Sequence, residues 1–188
     1  ERAIAQAERY FKMYEDEIAC IVLEPIQGEG GDRHFRKVFH QTLRDLADKH
    51  EALLVYDEVQ TGVGLTGKFW AHEHYVKPDI LAFGKKAQVC GILASKRVDE
   101  VKDNVFHVSS RINSTWGGNL VDMVRFGRIL KVIEDESLVE NAATVGQYLQ
   151  EKLTQLNQKF EYVSNPRGKG LFCAIDFPNT HARDAVIE

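Results

Sequence analysis

The sequence predicts an α/β fold with a mostly parallel sheet flanked by helices. Three observations carry this. Short apolar runs lack the polar alternation of half-exposed strands, as strands covered on both faces do. Segments with apolar residues at 3.6-residue spacing lie between them, so strand and helix alternate. Glycine and charged residues follow directly where the apolar runs end, which is where open α/β sheets gather ligands.

Arg2 to about Tyr14 is expected as a helix, with Ile4, Ala7, Phe11 and Tyr14 on one face. The run Ala19-Cys20-Ile21-Val22-Leu23 is a strand leading into Glu24-Pro25 and the Gly-rich loop Gly28-Glu29-Gly30-Gly31. An amphipathic helix follows near Arg36 to His50, with Phe39, Leu43 and Leu46 inward. A second strand, Ala52-Leu53-Leu54-Val55-Tyr56, runs directly into Asp57-Glu58. A third, Ile80-Leu81-Ala82-Phe83, ends in Gly84-Lys85-Lys86, and a fourth, Gly91 to Ser95, lies close behind. Beyond Gly117-Gly118 the pattern turns helical: Leu120, Met123, Val124, Ile129, Val132 and Ile133 form one apolar stripe. A further helix spans about Leu138 to Phe160, and Leu171 to Ile175 reads as a strand of a second, smaller domain.

Composition excludes several classes. The net charge of −4 is spread along the chain, and no basic stripe suggests a nucleic-acid or membrane-surface partner. The apolar runs are far too short to span a bilayer. The three cysteines, Cys20, Cys90 and Cys173, lack CxxC spacing, which argues against a disulfide framework or a zinc knuckle. Each is expected to be a small buried residue of a reduced, cytoplasmic protein. The chain lacks an initiator Met and both ends read as helix, so it is expected to be an excerpt, inactive by itself.

Asp57 stands at the end of a buried strand, where a carboxylate is costly unless a cation answers it. A protonated pyridinium would do so; capping of the next loop or metal ligation are the plainer readings. Lys85 and Lys86 follow the next strand. A lysine that attacks an aldehyde must lose its proton, and burial beside a second cation favours that loss. The dipeptide alone reads equally as two solvated surface lysines, and spacing leaves open which one is the nucleophile. The string Asn113-Ser114-Thr115-Trp116-Gly117-Gly118-Asn119 suits a phosphate cup just before a helix, or simply an N-cap. The loop from Glu24 to Gly31 is a turn or part of a site; without a GK[ST] ending it is no P-loop. His72-Glu73-His74 is set aside as solvated polar surface rather than a metal site, and Trp70 and Trp116 as packing residues.

Taken in order, EPIQGEGG, DEVQTG, TGKFWA, PDI, FGKK and STWGGN resemble class III aminotransferases, a fold type I group dependent on pyridoxal 5'-phosphate. The likeness is nearest to the branch acting on the ε-amine of L-lysine. It rests on Gly84 to Gly91, Arg97-Val98-Asp99-Glu100-Val101, Asn104-Val105-Phe106 and Ser110 to Asn119. The resemblance implies that residues 1–131 belong to the large cofactor-binding domain and 132–188 begin the small α+β one. It implies Lys85, not Lys86, as the Schiff-base lysine, and Asp57 as partner of the pyridine nitrogen. It places Val59 on the ring face, Gln60 on the phenolic oxygen, and Thr115 on the phosphate of a neighbouring subunit in a homodimer. Glu29 becomes the glutamate that switches between ω-amine and α-carboxylate substrates, with Glu24 in support and Asn113 lining the site. The phosphate turn, the stacking ring and the arginine that Glu29 meets are expected outside these residues. The implied reaction moves the ω-amine of L-lysine to 2-oxoglutarate, giving 2-aminoadipate 6-semialdehyde and glutamate. Rivals are an ornithine, 4-aminobutyrate or acetylornithine enzyme, another reaction on the same fold such as a decarboxylase or an aminomutase, and a non-catalytic cofactor-binding scaffold.

Overall fold

The computed structural model describes residues 2–29, 31–112 and 117–187. Helix α1 (Arg2–Met13) precedes strand β1 (Cys20–Leu23), and a small hairpin, β2 (Ile26–Gln27) with β3 (Arg33–His34), leads to helix α2 (Lys37–Lys49). Strands β4 (Leu53–Asp57), β5 (Ile80–Phe83) and β6 (Gly91–Ala94) follow. Helices α3 (Leu120–Asp135) and α4 (Leu138–Lys159), the hairpin β7 (Ser164–Lys169) with β8 (Phe172–Asp176), and α5 (Thr180–Ile187) complete the order.

The main sheet runs β1-β4-β5-β6. β1 pairs with β4, and β4 with β5, in parallel; β6 runs antiparallel to β5. The reversal follows from chain length, because the short connection 84–90 cannot make the long crossover that a parallel neighbour requires. The crossover from β1 to β4 carries α2, whose apolar stripe covers the sheet. Phe11, Leu43, Leu46, Ala47, Ala52, Leu54 and Tyr56 form that buried core. Each large aliphatic side chain so covered contributes about 1.5–3 kcal/mol. His40 of α2 is wholly buried in it, shares a 2.6 Å hydrogen bond with the Tyr56 hydroxyl, and stacks on Tyr75 at 4.0 Å.

Asp79 opens β5 by acting as a strand partner through its side chain. Its Oδ2 accepts from the Leu54 N–H at 2.8 Å and from Arg44 Nη1 at 2.8 Å, while its own N–H donates to the Leu54 carbonyl. Arg97 and Asp48 extend this pairing across the outside of α2.

The C-terminal hairpin docks on the loops that follow β1 and β4. Phe172 joins Ile26 and Tyr75 in a second buried cluster, and the Leu171 N–H donates to the Leu65 carbonyl at 3.0 Å. Gly170, at φ +54°, sits so tightly against the backbone of Thr66 and Gly67 that a Cβ there would lie 2.4 Å from the Thr66 carbonyl carbon.

Three expectations need correction. Burial on both faces holds for the middle of the sheet only: β1 and β6 are its edges and expose Val22, Ile92 and Leu93. The stripe on α3 is exposed at Leu120, Met123, Val124 and Val132, because little of the described chain packs over that helix. Cys20 and Cys90 are exposed and Cys173 half-buried, since they fall on an edge strand, a loop and the docked hairpin. All three are thiols. Among the described residues, no helix is long and apolar enough to cross a membrane.

Candidate active site

The parallel register brings the predicted residues together. Asp57, the last residue of β4, pairs with Ala82 of β5, and Lys85 follows three residues later. Both therefore leave the sheet at the same edge, at the carboxyl ends of neighbouring strands. Asp57 is half-buried, and its Oδ1 accepts the Val59 N–H at 3.0 Å, which turns the chain out of the strand. Among the described residues Oδ2 has no hydrogen-bond partner.

Lys85 opens a 3-10 turn, Lys85–Ala87, at φ +49°. A non-glycine residue in the left-handed region carries roughly 1–2 kcal/mol of local strain, and such strain collects at functional sites. Its side chain is exposed, and Nζ donates to Gln60 Oε1 at 3.2 Å. Gln60 lies in turn against the hairpin, so close that a Cβ on Gly28 would come within 2.6 Å of Oε1. Val59 packs beside Gly84 just before the lysine. Amine and amide are thus in contact, and the carboxylate and the apolar side chain stand on the adjoining strand end.

Lys86 points inward rather than to solvent. Its ammonium donates to the Gln60 carbonyl, and its pKa is lowered, first by burial and then by the neighbouring Lys85, with Glu58 opposing. Lys86 is thus the neighbouring cation and ties the lysine turn to the strand-end loop, but the burial expected of the nucleophile falls on Lys86 and not on the exposed Lys85.

The loop from Glu24 to Gly31 is a hairpin. Glu24 Oε2 accepts the Gly28 N–H at 3.0 Å, and the Gly28 carbonyl takes the N–H groups of Gly31 and Asp32 at 3.1 and 2.9 Å. Glu29 stands exposed at the tip. Asn113 and Thr115, together with Gly30, Ser114 and Trp116, lie outside the described residues. Asn119 N-caps α3, its Oδ1 accepting the Val121 N–H at 3.0 Å.

Sequence reasoning missed Glu58, which is 1% exposed. Its carboxylate gathers the N–H groups of Ala71 and His72, His72 Nδ1 at 3.0 Å, and the Thr61 hydroxyl at 3.4 Å. In the His72-Glu73-His74 string the two histidines are therefore half-buried and hydrogen-bonded, and Glu73 alone is exposed as expected. His74 Nε2 lies 3.0 Å from the Thr66 carbonyl, and Glu73 accepts the Trp70 N–H. These residues bind the turn after β4 to the next one; the signal was the acid next to Asp57, which the reading passed over. Trp70 is a packing residue as expected, set against Gly62 and Phe83.

A model of class-III aminotransferases matches residues 1–188. The chain belongs to the class-III aminotransferase family. Within it, the L-lysine-epsilon aminotransferase of Mycobacterium tuberculosis is 57% identical over 187 residues, covering 98% of this chain and 42% of the relative. The 4-aminobutyrate aminotransferase of Dictyostelium discoideum is 38% identical over 191 residues, covering the whole of this chain and 37% of the relative. A solved lysine aminotransferase from M. tuberculosis, in the internal aldimine form, superposes with a TM-score of 0.95 at 57% identity, covering 98% of this chain and 43% of that one. The chain thus spans about two-fifths of the length of these class-III relatives.

Proposed function

We propose that the protein containing this chain is a pyridoxal-phosphate aminotransferase that moves the ω-amine of L-lysine to 2-oxoglutarate, giving 2-aminoadipate 6-semialdehyde and glutamate. The observation that carries the reading is the Lys85 Nζ to Gln60 Oε1 contact at 3.2 Å, with Asp57 at the carboxyl end of the adjoining strand. The donor set suits the cofactor: an amine for its aldehyde, a carboxylate with one oxygen to spare, an amide donor and an apolar contact. When bound, the cofactor supplies an electrophilic carbon and an electron sink.

Lys85 is the residue that would hold the cofactor covalently and would move the proton at the amine-bearing carbon of the substrate. Gln60 accepts from Nζ and would offer its amide N–H groups to the cofactor's phenolic oxygen. Asp57 Oδ2 would be the carboxylate that keeps the ring nitrogen protonated, and Val59 would supply the apolar contact to the ring. Thr115 would hold the phosphate of a second subunit, which makes the active unit a homodimer; Asn113 would line the site. Glu29 serves as the exchanger between ω-amine and α-carboxylate substrates, with Glu24 holding its hairpin. Residues 1–131 form part of the large domain and 132–188 begin the small one. The three free thiols suit a reducing cytoplasm, and the proposed donor places the reaction in lysine breakdown.

Borohydride reduction of the full-length holoenzyme, followed by peptide mass mapping, is expected to place the cofactor mass on Lys85. Mass on Lys86, or on neither, defeats the assignment. Steady-state rates with lysine, ornithine, acetylornithine and 4-aminobutyrate test the donor: the highest kcat/KM should belong to lysine, and a higher value for any other donor transfers the reading to that sister activity. Turnover without 2-oxoglutarate would point to another reaction on the same fold.

A further inference from the structure

Arg167 reaches from β7, near the C-terminal end of the chain, to the tip of the hairpin that carries Glu29. Its Nε donates to the Asp32 carbonyl at 2.6 Å and its Nη2 to the Gly31 carbonyl at 3.1 Å. Its Nη1 pairs with Asp176 Oδ1 of β8 at 2.8 Å and donates to the Asn165 carbonyl at 3.0 Å. Every nitrogen of the guanidinium is engaged, two of them on carbonyls just past Glu29. The charge is answered by Asp176, whose other oxygen is held by Asn165 Nδ2 at 2.8 Å. This fork is therefore committed to the protein, and it is not the cation that receives a substrate carboxylate.

We propose that Arg167 is a positioning residue for the dual-substrate step: it fixes the backbone of the hairpin tip so that Glu29 changes partner by side-chain rotation alone. The inference rests on the reading of Glu29 as the exchanger. An exchanger must swing its carboxylate between two arrangements while its backbone stays in register with the site. The hairpin alone does not supply that rigidity. Among the described residues its strands pair Ile26 with His34 and Gln27 with Arg33, the Gly28 carbonyl holds the Gly31 and Asp32 N–H groups, and the far side of the tip contains Gly31 at φ +107° and Asp32 at φ +47°. Glu24 clamps the near side through the Gly28 N–H, and Arg167 clamps the far side. Glu29 lies between the two clamps, its side chain exposed and, among the described residues, without a hydrogen bond. Two planar N–H groups on successive carbonyls need the rigid fork of arginine; a lysine supplies one point contact.

The test uses the full-length holoenzyme and measures the two half-reactions separately by single-turnover absorbance, with L-lysine and with 2-oxoglutarate or glutamate. Arg167→Met should change the ratio of their specificity constants at least tenfold, in the same sense as Glu29→Gln. Arg167→Lys should recover only part of the loss. Asp176→Asn, which leaves the fork but loosens its anchor, should give a smaller change of the same sense and keeps the test open if the Met variant folds poorly. The Arg167→Met, Glu29→Gln double variant should show little beyond Glu29→Gln alone. Equal loss in both half-reactions, or full additivity with Glu29→Gln, overturns the proposal while leaving Glu29 its role. No change of ratio in Glu29→Gln itself overturns the reading of Glu29, and the proposal with it.

Discussion

At Gly28 the absence of a side chain does specific work. A methyl group there would overlap the Gln60 amide, and Gln60 is the residue that orients Lys85 Nζ. Because the displaced atoms are the end of a flexible side chain, the fold can yield where the site cannot. Gly28→Ala is thus expected to cut kcat by ten- to a hundredfold while shifting stability by less than about 1 kcal/mol, as measured by turnover and denaturant melts of the same preparation. Equal losses in both would contradict the argument. Residues of this kind divide by legibility. Asp57 and Lys85 were visible because a charged residue after a buried strand is conspicuous, and motif order then chose Lys85 over Lys86. Gly28 was visible only as a loop glycine, because what it makes room for lies 32 residues further along the chain.

Strands and helices were legible wherever burial imposed a period. α2, β4 and β5 fall where the apolar pattern put them, since each has one face or both in the core. β2, β3 and β7 were not read as strands: two are only two residues long, and β7 carries Pro166 and Gly168 in a polar run. Their pairing comes from tertiary contact, which leaves no local signature. Arg167 was hidden for the same reason. The start of β5 shows what an element can owe to one side chain. Asp79 substitutes for a strand neighbour at the Leu54 N–H and neutralises Arg44. Asp79→Ala leaves the buried Leu54 N–H without its side-chain acceptor and Arg44 paired with Asp48 alone, and is expected to cost about 2 kcal/mol of stability in urea unfolding. Asp79→Asn should recover part of that by keeping the hydrogen bond.

Across the whole molecule, the buried His40 makes acid the weak direction. Burial lowers its pKa from 6.5 to about 4, partly offset by the Pro25 carbonyl. A folded state that holds histidine neutral is at full strength above the unfolded value of 6.5 and weakens as pH falls from there through about 4. The loss from this residue approaches about 3 kcal/mol. Unfolding midpoints of the full-length protein should fall over that window, and His40→Gln should flatten the slope; an unchanged slope would assign acid sensitivity elsewhere. At the same scale, the turns after β4 and β5 are brought together around one indole. Trp70 covers Gly62, two residues beyond Gln60, with its ring carbons 2.7–2.8 Å from where a Cβ would stand, and lies 5.8 Å from the ring of Phe83, two residues before Lys85. The protein therefore carries a built-in optical probe close to the lysine proposed to hold the cofactor. A bound chromophore that absorbs in the near ultraviolet accepts energy from that indole, so the emission lost in a Trp70→Phe difference spectrum reports the loading of each site directly, without any substrate being turned over.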